Sequence, residues 1–182
     1  MALYMFFYAV PDRHLEFLRD NPALFDAYLA GETPELKQGL LSRLLGKEPA
    51  TLPDDWPGNA LEACSSEINH RQVHVFHYIL NGQSDLVDNV GCVFQTWFKP
   101  RHKSPAIVVD GENFAFDSSD TRRLLELLEA LTPELMRDRL ENSGRAEQVQ
   151  DDSGFVEDAF AEIVNICGKA VSKRYGLLWT SR

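Results

Sequence analysis

Apolar and polar positions at the start of the chain predict one strand followed by short helices. Residues 2–10 are rich in aromatic side chains and stop at Pro11, which is typical of a buried strand. The residues after Pro11 open a short helical pattern in which Leu15 and Leu18 face inward. Asn21–Pro22 restarts that pattern as a second helix. The first thirty residues therefore predict a strand and two helices.

The next fifty residues predict two more helices separated by a loop. Thr33, followed by a proline and an acid, favours a helix start, and the leucines of residues 36–45 form one stripe at helical spacing. Residues 47–59 contain three prolines and a glycine and are predicted to form a loop. Residues 60–80 return to a helical pattern, with an interruption near two adjacent serines. Gly82 is typical of a left-handed helix end.

The second half of the chain predicts short strands and then a helical region. Residues 89–99 and 106–116 resemble strands, and the Asp-Gly pair at 110–111 favours a tight hairpin turn. A final strand is predicted at residues 177–179. Three helices are predicted between these strands: one capped by Ser118 or Ser119, one from Thr132 to about Asn142, and a long one that follows a polar loop at 143–154 and ends by Gly176.

Together these elements predict an α+β fold in which helices outnumber strands and the sheet is small, either mixed or antiparallel. The chain has 182 residues, of which 44% are apolar. That composition supports one hydrophobic core, and the length favours a single domain spanning residues 1–182.

The charge balance excludes some classes of partner. Asp and Glu number 28 against 18 Lys and Arg, which gives a formal net charge of −10. Such a surface repels phosphate backbones and anionic membranes, and it favours a basic protein partner. The apolar run at residues 2–10 has no basic flank or small-residue cleavage site, and it is too short to span a bilayer. We therefore expect a cytoplasmic protein with no nucleic acid or membrane as partner.

The sequence contains no strong catalytic motif. The chain has an odd number of cysteines, and none of them has CxxC spacing: they are Cys64, Cys92 and Cys167. We therefore expect reduced cysteines that act as small apolar residues. Nucleophile elbows, glycine-rich phosphate loops and calcium loops are all missing. We therefore expect no metal and no cofactor, and we favour a binding role over an enzymatic one.

The most unusual stretch of the chain contains three of its five histidines. His70, His74 and His77 have i, i+4 and i+7 spacing, so a continuous helix would place them on one face, beside Tyr78. Imidazoles one turn apart can share a metal, and a histidine in a pocket can bind or polarise a ligand. The third alternative, which we favour, is that these histidines fix the helix by hydrogen bonds. His70, His74, His77 and Tyr78 are our candidate ligand-binding residues.

The helix around these histidines resembles the YfbM-like family, small bacterial proteins grouped as a domain of unknown function. Its characteristic helix reads Lys-Ala-Trp-His-Gly-x-His-aromatic-Leu-Leu-Thr-Gly. His74, His77, Tyr78, Leu80 and Gly82 fall on that pattern. The order of predicted elements is similar over nearly the whole chain. Because the family has no established activity, the resemblance implies a fold and not a function.

The chain also departs from the family pattern. Val73 stands where the family has Trp, Val75 where it has Gly, and His70 where an acid is common. Residues 112–115 replace the usual Gly-Pro-Ala-Arg segment. If the family forms a ligand pocket with those residues, the pocket of this chain is altered or lost.

Two hypotheses about function follow. The leading one is a non-enzymatic binding protein whose acidic surface engages a basic partner, concretely an immunity-type inhibitor that neutralises a secreted antibacterial toxin. The alternative is a small enzyme or ligand-binding domain in which His74 and His77 line a pocket. Homodimerisation through the exposed ends of the sheet is compatible with both.

Overall fold

The computed structural model describes residues 3–34, 51–95, 105–149 and 154–182. These residues form five strands and six α-helices, joined in places by short 3-10 turns. The strands are β1 (Tyr4–Val10), β2 (Cys64–Asn69), β3 (Ile107–Val108), β4 (Phe114–Phe116) and β5 (Gly176–Ser181). The helices are α1 (Asp12–Asp20), α2 (Phe25–Ala30), α3 (Val73–Asn81), α4 (Ser118–Glu129), α5 (Pro133–Asn142) and α6 (Phe155–Lys173).

The strands form one antiparallel sheet in the order β2-β1-β5-β4-β3. β5 is the central strand, and β1 pairs with it along six residues, from Met5 opposite Ser181 to Val10 opposite Gly176. The pairing of β1 with β2 stops earlier, at Phe7 opposite Cys64. The expectation of an α+β domain with a small sheet is confirmed, and all described strand pairs are antiparallel.

Helices pack against both faces of the sheet. Side chains of successive strand residues point to opposite faces, so each strand contributes to the core on both sides. Met5 and Phe7 of β1 face a large core formed with α3, α4, α5 and α6. Tyr8 and Val10 face a smaller core formed with α1 and α2. In β5, Trp179 joins the larger core. The sheet therefore lies between two helical layers, and among the described residues the smaller layer is formed by the short helices α1 and α2.

Several predicted elements are confirmed. The N-terminal strand, the two helices after it, the hairpin of β3 and β4, the long helix and the terminal strand are all present. Gly82 ends α3 with φ of 71°, as its sequence position predicts. Thr132 caps α5 by accepting a hydrogen bond from the Leu135 amide, and Pro133 occupies the first helical position.

The predicted helix over residues 60–80 is wrong in its first half. Residues 64–69 form strand β2, and α3 begins only at Val73. The residues of β2 alternate between exposed and buried, with Ser66 and Ile68 inward and Ser65 and Glu67 outward. That two-residue period identifies a strand. The hydrophobic pattern of the sequence does not show this period because two serines and a glutamate occupy the strand.

The predicted strand over residues 89–99 is also wrong where the structure describes it. Residues 90–95 form a buried 3-10 turn, Val90–Gln95, because this segment packs against α3 and α4 rather than along a sheet edge. The cap of α4 is Asp117, whose carboxylate accepts from the Asp120 amide, and not Ser118 or Ser119. The predicted helix at residues 36–45 lies outside the described residues.

Candidate functional site

Three chain segments meet at one end of the sheet and enclose a cleft of about 290 Å³. β1 runs antiparallel to both β2 and β5, so its end lies beside the beginnings of its two neighbours. The segment that leaves β1 contributes His14. The segment that leads into β2 contributes Asp55, and the segment that leads into β5 contributes Lys169, Lys173 and Tyr175. The cleft is at the lower end of the size range of small-molecule pockets, about 300 to 1,000 Å³.

A buried histidine joins two polar side chains on the floor of this cleft. His14 is 2% exposed, and its Nδ1 lies 2.8 Å from the hydroxyl of Tyr28, which is itself buried. The other ring nitrogen, Nε2, lies 2.9 Å from a carboxylate oxygen of Asp55. A carboxylate only accepts, so Nε2 carries a proton. In the neutral ring, Nδ1 then accepts the proton of the Tyr28 hydroxyl.

The surroundings of Asp55 keep its carboxylate ionised. Hydrogen bonds from Arg13 and His14 lower the pKa of Asp55 to about 2. Burial raises the pKa of Tyr28 well above its ordinary value, and the negative charge of Asp55 adds to that effect. At neutral pH the floor of the cleft therefore holds an ionised carboxylate and a protonated phenol, bridged by an imidazole.

Contacts with α2 hold the loop that carries Asp55. The indole nitrogen of Trp56 donates to the carbonyl oxygen of Glu32 at 2.8 Å, and the indole ring lies edge-on to Tyr28. Farther along the loop, the amide of Leu61 donates to the carbonyl of Leu29 at 2.9 Å. Trp56 thus packs at the edge of the smaller core.

The other wall of the cleft combines a polar helix face with apolar side chains. α6 presents Asn165, Lys169 and Lys173 at four-residue intervals, which places them on one stripe. Cys64 also lines the cleft. Burial raises the pKa of its thiol to about 11, and the charge of Glu162 adds to this. The thiol is therefore protonated at neutral pH and is a poor nucleophile.

The structure does not place the three predicted histidines on one helix face. His70 lies in the turn before α3, so only His74 and His77 are on the helix. His70 and His74 border an open depression of about 560 Å³, and His74 and Tyr78 line a small cavity of about 60 Å³. His77 lines neither of these two cavities, and a ligand-binding role for these residues stays a prediction.

His77 has the surroundings of a structural histidine. It is fully buried, and its Nε2 donates to the carbonyl oxygen of Asp85 at 3.1 Å. Its Nδ1 lies 3.3 Å from the side-chain amide of Asn81, which also donates to the Gly91 carbonyl. Burial lowers the pKa of His77 and favours its neutral form. These bonds join α3 to the segment after it.

The cleft residues were missed because they belong to three separate segments. His14 did carry a signal: it is next to Leu15 and one turn from Leu18, the two inward positions predicted for α1. A histidine on a buried helix face needs partners for two ring nitrogens. Its partners, Tyr28 and Asp55, are 14 and 41 residues away, and no pattern in the sequence connects them.

Comparisons of the chain with family models, with curated proteins and with solved structures gave no match. Across residues 3–34, 51–95, 105–149 and 154–182, no group of three His, Cys, Asp or Glu side chains is placed to hold a metal ion. In the same residues, no helix is both long and apolar enough to cross a bilayer. The site is therefore interpreted from its own geometry.

Proposed function

We propose that the protein binds a small organic ligand in the cleft at the end of the sheet. The observation that carries this proposal is that His14, Tyr28 and Asp55 are hydrogen-bonded to one another in the lining of a partly enclosed concavity. Much of the remaining lining is apolar, including Leu61 and Ile166. A few fixed polar groups in an apolar concavity are the usual composition of a small-molecule site.

The hydrogen bonds within the site favour binding. His14 and Tyr28 are held by each other and by Asp55 before any ligand arrives, so a ligand does not have to order them. Preorganisation of this kind improves affinity by lowering the entropic cost of association. The raised pKa of Tyr28 and of the Cys64 thiol leaves both groups protonated, which supports a binding role over nucleophilic catalysis.

The test is a ligand screen of the full chain and of a variant whose cleft is filled. Ala63 lines the cleft and is exposed, so Ala63→Phe adds a ring there without disturbing the core. Ala60→Phe is the matched control, because Ala60 is also exposed in the same loop and does not line the cleft. Ligand-observed NMR on a library of small organic molecules reports binding to each protein.

We expect ligands that bind the wild-type chain and Ala60→Phe and lose binding in Ala63→Phe. Ligands whose binding is unaffected by Ala63→Phe occupy another place, and that result contradicts the proposal. A library with no binder to the wild-type chain contradicts it as well. Thermal unfolding of both variants checks that each is folded.

A second candidate function is recognition of a basic protein partner, as in an immunity-type inhibitor. The net charge of −10 supports it, and the two consecutive helices α4 and α5 carry exposed acids, alongside Arg122, Arg123, Arg137 and Arg139. Five exposed carboxylates lie on α4 and α5, and among the ion pairs between described residues only Glu134 is engaged, by Arg137. These five are Glu126, Glu129, Glu134, Asp138 and Glu141. An acidic surface of this kind accelerates association with a cationic partner.

Its test is a pull-down from the native cells at low and at high salt, using wild-type protein and a variant with Glu126, Glu129, Asp138 and Glu141 replaced by glutamine. We expect a basic protein that is retained at low salt, released at high salt and not retained by the variant. Retention that is independent of these four carboxylates contradicts this function. The cleft-filling variant Ala63→Phe keeps all four acids and is the matched control.

We also propose that the fold is YfbM-like. The motif residues His74, His77 and Gly82 support this, together with the element order from β1 through α3 and the helix pair to α6 and β5. Superposition on an experimental structure of a family member tests it. A different strand order in that member would contradict the proposal.

A further inference from the structure

We infer that the ligand of the cleft carries an anionic oxygen group, a carboxylate or a phosphate, which Lys169 and Lys173 bind. This inference rests on the proposed ligand site and adds the chemical class of its occupant. It starts from the position of the two lysines. Both line the cleft from one stripe of α6, four residues apart, and both are exposed enough to reach a ligand.

Neither lysine forms an ion pair with another residue in the described part of the chain. The Lys173 ammonium lies 5.9 Å from the ring centre of Tyr175, and the charge of Lys169 acts on Cys64 without a hydrogen bond to it. In a chain with a net charge of −10, acids are in surplus, and two cations without a carboxylate partner in one cleft are therefore unusual.

The acids that line the same cleft leave this positive charge available. Asp55 is engaged by Arg13 and His14, so its charge is largely compensated. Glu62 also lines the cleft and is exposed, where water screens its charge. An anion between the lysines is attracted by both ammonium groups, and the apolar side chains of the cleft fit a hydrocarbon or aromatic part of the same molecule.

A purely structural role for the lysines is the alternative. Cations in the last turns of a helix interact favourably with its dipole, and Lys173 ends α6. That role does not require both side chains to line a cleft, and Lys169 lies more than a turn before the end of the helix. The two roles differ in one measurable way, because only a ligand contact makes anion binding depend on these residues.

The experiment compares four probes of similar size and different charge: benzoate, phenyl phosphate, benzyl alcohol and benzylamine. Their affinities are measured by NMR titration of the full chain at low salt, for wild type, Lys169→Met and Lys173→Met. Arg137→Gln is the control, because it removes one exposed positive charge on α5 outside the cleft. Ala63→Phe shows whether a bound probe occupies the cleft.

We expect benzoate, phenyl phosphate or both to bind in the cleft, about tenfold more weakly after either lysine substitution and unchanged in the control. The stronger of the two anions identifies the group. We also expect affinity to fall as salt rises. If only the alcohol or the amine binds in the cleft, or if the anions bind there equally well without the lysines, the inference is overturned and the ligand site stands. If no probe is sensitive to Ala63→Phe, the ligand site itself is contradicted.

Discussion

The bond between His14 and Tyr28 is the part of the site whose energetic contribution can be worked out most directly. Both side chains are nearly fully buried, at 2% and 1% exposure, and their polar atoms are 2.8 Å apart. Tyr28→Phe removes the hydroxyl, keeps the ring, and leaves Nδ1 of His14 buried without that partner. A net hydrogen bond contributes about 1 kcal/mol, and an unsatisfied buried group costs about 1 to 3 kcal/mol.

We therefore expect Tyr28→Phe to lower the free energy of unfolding by about 1 to 2 kcal/mol. This loss is smaller than the full cost of an unsatisfied buried group because the phenylalanine has no hydroxyl to desolvate. In a domain of this size the loss corresponds to a fall in Tm of about 2 to 8 °C. Urea denaturation followed by circular dichroism measures it. Tyr4→Phe is the matched control: Tyr4 is 40% exposed, and its substitution should change stability by less than about 0.5 kcal/mol.

A double-mutant cycle separates this bond from general effects of the substitutions. It compares wild type, Tyr28→Phe, His14→Phe and the double variant. Groups in direct contact have coupling energies of about 0.5 to 3 kcal/mol, and we expect a value near 1 kcal/mol here. Losses that add within about 0.3 kcal/mol would refute a direct bond between the two side chains. So would a Tyr28→Phe variant as stable as wild type.

Three further outcomes follow from the structure. Hydrogen bonds from Arg13 and His14 lower the pKa of Asp55 to about 2, so the stability that they contribute is present above the pKa of the unfolded state, near 4, and is lost as pH falls toward 2. By urea denaturation, Asp55→Asn should be less stable than wild type by about 1 kcal/mol or less at pH 6 and equal to it at pH 2. Burial lowers the pKa of His77, so its NMR titration midpoint should lie below the ordinary value near 6.5, and wild-type stability should fall as pH drops below about 6.5, more steeply than that of His77→Gln. A Cβ at Gly176 would lie 2.3 Å from a backbone oxygen of β4, so Gly176→Ala should lower the free energy of unfolding by about 1 to 3 kcal/mol. Gly168 in α6 has open space around it, so Gly168→Ala should be neutral or stabilising by up to about 1 kcal/mol. Equal thermal stabilities of the two variants would contradict this packing.

Predictions succeeded where the signal is local. The Thr132-Pro133 pair predicts the start of α5 because a hydroxyl cap and a fixed proline φ act within one turn. The long helix α6 has an apolar stripe of five turns, and its period is visible without any knowledge of what packs against it. Gly82 likewise predicts the end of α3 from its own conformational freedom.

Predictions failed where tertiary packing decides between alternatives. The pattern of residues 64–69 predicts a helix instead of β2 because one of the inward residues is a serine, Ser66, whose burial the sequence does not reveal. Residues 90–95 have the composition of a strand, but they pair with none of the described strands and pack as a 3-10 turn against α3 and α4. For the same reason the three histidines do not share one helix, since the strand that replaces the first half of the predicted helix leaves His70 outside α3.

The position of the cleft follows from the unequal lengths of the strand pairs around β1. β5 pairs with β1 as far as Val10, whereas β2 begins opposite Phe7 and leaves the end of β1 without that neighbour. The loop that leads into β2 must cross this gap, and it brings Asp55 to the start of α1, where His14 lies on the buried face. The last turns of α6 close the gap from the other face of the sheet. A helix, a loop and a second helix thus meet beside the end of β1 that β2 does not reach, and the polar groups of the cleft lie there.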